Sequence, residues 1–141
     1  MSPIFKKLNL KSQTEIVVIN APASFEAELA TLDAMKIVRD PKTIEAIKAI
    51  EAIHFCLAFT KTQSEVDSLS QLLCSKAKGD AVLWFAYPKG SSKRFKCEFN
   101  RDTGWDVLRA LGFDTVRQVA IDEDWSALRF RRVEYINASG A

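Results

Sequence analysis

The chain predicts a three-layer α/β domain on a mostly parallel, twisted sheet of about six strands that ends in an antiparallel hairpin. Two apolar runs, IHFCLAF (Ile53–Phe59) and AVLWFAY (81–87), are too continuous for strands with one wet face, so both faces are buried between layers. Strand-like and helix-like segments alternate along the chain, the order that parallel strands with right-handed crossovers require. The last two strand-like segments, 115–122 and 127–135, leave only residues 123–126 between them, which suits a hairpin and no crossover.

Each element has a local reason. EIVVIN (15–20) is a β-branched run stopped by Ala21-Pro22, as for a first buried strand. Ser24 is a good N-cap for a helix over 24–32 that carries Phe25, Leu29 and Leu32 on one face. A short strand over 35–38 ends at Arg39-Asp40-Pro41, and 43–50 reads as a short helix. Ser64, with Asp67 as capping-box partner, opens a helix bearing Val66, Leu69, Leu73 and Ala77, which Lys78-Gly79 stops. Asp102 or Thr103 caps a helix to Leu111, with Trp105, Leu108 and Leu111 inward and Gly112 as its stop. In the last strand the apolar phase switches from Leu128 and Phe130 to Val133 and Tyr135, which predicts a bulge near Arg131-Arg132.

The 141 residues read as a single domain, with 1–13 an N-terminal extension and 136–141 a flexible tail. Apolar residues at 48% and charged residues at 27% exclude a disordered or fibrous chain, and a net charge of +2 gives no case for nucleic acid or a membrane. No segment has the apolar length of a signal peptide or a membrane span. Cys56, Cys74 and Cys97 form no CxxC pair, so they read as reduced thiols in a cytoplasmic protein. His54 is the sole histidine and reads as a packed or capping residue, which excludes polyhistidine zinc sites.

Two resemblances follow. From Leu69 to Lys89 the chain runs helix, Lys-Gly-Asp, then an apolar strand ending in Pro-Lys. A helix, Gly112-Phe113 and a terminal hairpin with Trp125 in its turn come next. This order over about residues 65 to 135 resembles class I methyltransferases, and it implies a Rossmann-like sheet whose last strand inserts beside strand 81–87. The segments AVLWFAYPKGSSK, FNRDTGWD and VAIDEDWSALRFR are similar to a bacterial domain family without an assigned activity, which implies no function.

A cofactor loop after the first strand needs glycines, so that backbone amides can approach the ligand. Asn20-Ala21-Pro22-Ala23-Ser24 has none, and its proline removes a donor, so the segment offers too few amides and too little room. Asp40 stands where an acidic residue would hold ribose hydroxyls, although a carboxylate before proline is also an ordinary turn residue. Lys89, Ser91, Ser92, Lys93 and Arg101, with Arg94 and Lys96, make a basic loop at a strand's carboxyl end, a candidate site for an anionic group. Asp124 and Trp125 are the next candidates, with Asp122 and Glu123 beside them. Their bland use is to shape the turn, Asp124 pairing with Arg129 or Arg131. Arg117, Arg129, Arg131 and Arg132, near an exposed Tyr135, form a basic strip that reads as edge protection before it reads as a nucleic-acid surface.

The sequence thus predicts a non-catalytic binding or regulatory domain on a methyltransferase-like scaffold. No cofactor or metal is expected, and the partner would be a small anionic ligand or a protein. Membrane is excluded as a partner and nucleic acid disfavoured. The alternatives are a transferase using S-adenosylmethionine (SAM) or a nucleotide at an atypical site, and a nucleic-acid-associated domain.

Overall fold

The computed structural model describes residues 2–32, 35–39, 45, 48 and 50–139. Glu15–Ile19 (β1), Lys36–Arg39 (β2), Ile53–Phe59 (β3) and Ala77–Pro88 (β4) pair in parallel. Phe113–Ala120 (β5) and Trp125–Arg132 (β6) are antiparallel, and β6 lies antiparallel against β4. The sheet order is β2-β1-β3-β4-β6-β5, so the terminal hairpin places its last strand beside β4, as expected.

Alternation along the central strands feeds two cores. Val17, Cys56, Leu83, Phe85 and Phe130 face the helix Gln63–Lys76 (α3) and the short helix Asp106–Ala110 (α4). Ile16, Val18, Phe55, Leu57 and Trp84 face Pro3–Lys7 (α1) and Glu26–Leu29 (α2). Layers on both faces are the physical reason β3 and β4 read as unbroken apolar runs. In α1, Phe5 is buried, and so is Leu8 just beyond it. The backbone carbonyl of Leu8 accepts the Trp84 indole N–H at 2.7 Å, and Ile4, Phe5, Leu8 and Leu10 belong to the core.

Several boundaries differ from the sequence reading. Ser24 lies inside a 3₁₀ turn, Ala23–Phe25, and caps nothing, yet Phe25, Leu29 and Leu32 are all buried as expected. Thr62, not Ser64, caps α3. Its hydroxyl accepts from the Glu65 amide, and the Glu65 carboxylate accepts from the Thr62 amide. Thr62-x-x-Glu65 and Ser64-x-x-Asp67 satisfy the same pattern, and the longer glutamate reaches back better. Thr62→Ala is expected to cost about 1 kcal/mol, read as a lower urea midpoint at unchanged slope.

Gly79 (φ +56°) does not end α3, which passes straight from Lys76 into β4 at Ala77. The glycine lies in a bulge, where β4 advances from Ala77 to Val82 while β3 advances from Ile53 to Phe55. α4 begins only at Asp106, after Trp105, and Leu111 is 39% exposed where an inward position was expected. Asn100, Asp102 and Thr103 form an Asn-centred turn instead of a cap, the Asn100 side chain accepting from both later amides.

The predicted bulge at Arg131-Arg132 is absent. The ladder is continuous there, and the shift falls in the partner strand, between Thr115 and Arg117 of β5, opposite Phe130 and Arg129. The apolar phase changes after Arg132 because the strand ends, and Val133–Ser139 is a helix, α5. Asp40 and, apart from residues 45, 48 and 50, the segment 43–50 read as a helix lie outside the described residues.

All three cysteines carry free thiols, Cys56 and Cys74 buried and Cys97 half-buried. Burial pushes the Cys74 thiol up to about 12 and that of Cys56 further. Unfolded thiols ionise near pH 8.5, so this contribution is complete below that pH and is lost as pH rises through the folded values. An aromatic disulfide reagent should therefore label Cys97 first in the native protein, and all three at once in denaturant. Equal native rates would contradict the burial.

Candidate functional site

In this sheet the chain leaves β1 for β2 on one side, and β3 lies on the other. The crevice between the carboxyl ends of β1 and β3 is thus the topological switch point, where open α/β sheets bind ligands. A cavity of about 360 Å³ lies there, lined by Asn20, Ala21, Pro22, Phe59, Lys61, Glu65, Phe95 and Trp125. That volume is within the range of small-molecule sites.

Asn20 takes φ +56°, the left-handed conformation that asparagine tolerates better than most residues. The turn after β1 therefore forms without glycine, and the room judged missing from the sequence is present in front of Ala21 and Pro22. On the opposite wall Trp125 packs edge-on against Phe59 and at a tilt against Phe95, with ring centroids at 5.1 Å in each case. Phe59 continues into Phe25 at 5.1 Å, anchoring this wall in the core. The Lys61 ammonium lies 5.6 Å from the Phe95 ring centre. Glu65 accepts from the Lys61 and Thr62 amides at 2.8 and 3.0 Å, and the Asn20 side-chain amide donates to its other oxygen at 3.5 Å.

Trp125 is 2% exposed, and its indole N–H has no acceptor among the described residues. The other two tryptophans are satisfied, Trp84 by the Leu8 carbonyl and Trp105 by the Asn100 carbonyl. The indole on the cavity wall is the one left over.

The sequence-predicted residues do not form one site. Ser91, Lys93 and Asp124 line a separate concavity with Arg94 and Glu123, where the charges are mixed. Ser92 donates its hydroxyl to the Asp124 carboxylate at 2.8 Å and accepts from the Arg94 and Phe95 amides. The Lys89 amide donates to the Asp124 carbonyl at 2.8 Å. These contacts tie loop 89–95 to the hairpin turn and so hold Phe95 against Trp125. Asp124 pairs with Arg94 at 3.8 Å, not with Arg129 or Arg131 as anticipated. Arg101 lines a third cavity, beside Arg109 and Arg117 on the β5 side.

In the basic strip, Arg131 makes a two-pronged pair with Asp80, which holds that carboxyl below its ordinary range. Arg132 lies over the Phe113 ring at 4.8 Å and donates to the Ala77 and Gly79 carbonyls. Tyr135 is half-buried, on α5. His54 is exposed at the opposite end of the sheet, neither packed nor capping, in a polar hollow with Lys78 and Asp80. Among the described residues no cluster of three or more His, Cys, Asp or Glu could hold a metal ion, and no helix is long and apolar enough to cross a membrane.

The sequence reading missed Phe59, counted only as core, as well as Lys61, Glu65 and Phe95. Phe59, Lys61 and Glu65 share one signal, position, since they fall at and just after the carboxyl end of the strand beside β1; Phe95, in the loop after β4, does not share it.

A parallel sheet of this order, ending in an antiparallel hairpin and with its crevice between β1 and β3, defines a methyltransferase-like Rossmann fold. No family model matches the chain, and no curated protein does. Among solved structures it is similar to a SAM-dependent methyltransferase from Aquifex aeolicus, with a TM-score of 0.60 and 13% identity, covering 92% of this chain and 87% of that one. It is also similar to the N-methyltransferase NodS from Bradyrhizobium japonicum WM9, with a TM-score of 0.61, 15% identity and coverage of 92% of both chains. A SAM-dependent methyltransferase from Archaeoglobus fulgidus gives 0.61 at 12% identity, covering 91% of this chain and 92% of that one.

At these identities the likeness is one of fold. It nevertheless corrects the expectation of a non-catalytic binding or regulatory domain. These three structures share this fold over nine-tenths of the chain and are methyltransferases, two of them described as SAM-dependent, and they favour the transferase alternative over a non-catalytic domain.

Proposed function

We propose that the chain is a SAM-dependent transferase whose cofactor lies across the carboxyl ends of β1 and β3. The observation that supports it is the cavity at the switch point, framed by the left-handed Asn20 and walled by Phe59, Phe95 and Trp125. The residues there suit the cofactor's chemistry. Lys61 can meet the carboxylate and Glu65 the ammonium of its amino-acid end, and the aromatic faces suit a sulfonium, which a ring attracts as it does other cations. When bound, SAM supplies an electrophilic methyl group on sulfur and leaves as a neutral thioether. This chain's part is to hold the charges of Lys61 and Glu65 in place and to exclude water with three aromatic side chains.

Calorimetric titration with SAM and with its demethylated product, S-adenosylhomocysteine, tests the reading. Binding of both is expected, weakened at least about tenfold in Ala21→Trp, where a large side chain fills the cavity while circular dichroism stays native. An absence of heat at millimolar concentrations of either compound would end the proposal.

A further inference from the structure

From the contrast between Trp125 and the other two indoles, and resting on the cofactor reading for its placement, we infer that the Trp125 side of this cavity takes a planar aromatic molecule. That molecule carries a ring nitrogen or carbonyl oxygen as hydrogen-bond acceptor for the Trp125 indole N–H. A buried donor without an acceptor costs a folded protein roughly 1–3 kcal/mol, so it is an exception that calls for an explanation. Of its three indoles, all among the described residues, this chain satisfies those of Trp84 and Trp105 with backbone carbonyls at 2.7 and 2.8 Å and leaves that of Trp125, which borders the switch-point crevice, without an acceptor. Ser2, Ser70 and Arg129 also hold a buried atom without a partner, away from this cavity.

Position brings the acceptor to the same wall that faces the reactive end of the cofactor. In Rossmann-like sheets the ribose end of a nucleotide points toward the strand after the first βα unit, here β2. Trp125 opens β6 and pairs with Pro88 of β4, on the opposite side of the crevice. A cofactor reaching from β2 across β1 therefore presents its reactive end to Phe59, Phe95 and Trp125. Three aromatic rings in contact favour a flat partner, through offset and edge-to-face packing.

Access to the indole comes from Phe95. Phe59 is 1% exposed and held by Phe25, whereas Phe95 is half-buried in a segment without helix or strand. Displacing Phe95 frees the side of the Trp125 ring on which it packs, and the incoming ring takes its place there.

The test uses the full chain labelled with ¹⁵N-tryptophan, whose spectrum holds three indole N–H signals. S-adenosylhomocysteine is added first, then quinolin-4-one, with cyclohexanone as a non-planar carbonyl control. The Trp125 signal, assigned by its loss in Trp125→Phe, is expected to move downfield with quinolin-4-one and to stay with cyclohexanone, the Trp84 and Trp105 signals remaining fixed. Trp125→Phe should weaken quinolin-4-one binding about tenfold, the loss expected for one hydrogen bond. If S-adenosylhomocysteine binds and no concentration of quinolin-4-one up to its solubility moves the Trp125 signal, the inference falls and the cofactor reading stands. An equal shift with cyclohexanone also overturns it, by removing the requirement for a ring. If quinolin-4-one moves the signal but S-adenosylhomocysteine gives no heat, the planar site stands and the cofactor reading falls.

Discussion

Trp105→Ala is expected to destabilise the protein by about 3–5 kcal/mol, a large share of the stability a domain of this size holds. Trp105 is fully buried and meets Phe85, Tyr87, Phe99 and Phe130, with ring centroids between 4.9 and 5.9 Å. Its indole N–H donates to the Asn100 carbonyl at 2.8 Å, which fixes the loop entering α4. Truncation leaves a void ringed by stiff aromatic side chains that cannot collapse into it, and it orphans that carbonyl. Trp105→Phe keeps most of the packing and should lose less than half as much. The comparison is read from urea unfolding followed by near-ultraviolet dichroism. A cost below about 1.5 kcal/mol for the alanine variant would mean that this cluster relaxes far more than tight packing allows. The consequence reaches the site, because Phe99 and Asn100 end the segment that carries Phe95. S-adenosylhomocysteine binding should weaken in any Trp105 variant that still folds.

Why β3 and β4 were legible, and the site mostly was not, comes down to the range of the forces involved. A strand buried on both faces writes its environment into every residue, so IHFCLAF and AVLWFAY announce themselves. Boundaries depend on competition between near-equal local options. Thr62-Glu65 outbid Ser64-Asp67 by one methylene of reach, and the turn at Asn100 displaced a cap at Asp102 or Thr103. The end of β6 depends on a tertiary contact, since the Val133 amide donates to the carbonyl of Gly112, a residue that no local pattern links to it. The crevice is built from residues whose types look structural. Phe59 reads as core, Glu65 as a helix cap and Asn20 as a turn, and only the sheet order brings them together. Lys89, Ser91, Ser92, Lys93 and Arg101 read as a site because charge and hydroxyl density are visible along a chain. The bonds of Ser92 and Lys89 to Asp124 are not visible there, and they turn those two residues into braces for Phe95.

Gly104 and Gly112 offer the second large effect, and they separate backbone strain from crowding. Both glycines hold a positive φ, +96° and +89°, so alanine is strained at either position. A Cβ on Gly112 would meet nothing within 4 Å, whereas one on Gly104 would lie 2.7 Å from the Phe99 Cβ and 2.7 Å from the Gln63 Oε1. The Gln63 contact can swing away, but the Phe99 Cβ is fixed to the backbone and cannot. Gly112→Ala is therefore expected to cost about 1 kcal/mol, and Gly104→Ala about 2–4, the excess being overpacking. The Gly104 carbonyl also accepts from the Gln63 side chain at 2.8 Å, while the Gln63 amide donates to Glu98 at 2.8 Å, so the start of α3 is pinned to loop 89–104 from both ends. Forcing Gly104 outward loosens that loop and Phe95 with it. Gly104→Ala should therefore lower affinity for S-adenosylhomocysteine under conditions where both variants are fully folded, and Gly112→Ala should leave it unchanged. Equal losses of stability in urea would refute the steric part of this account. Equal affinities at full folding would detach the loop from the crevice.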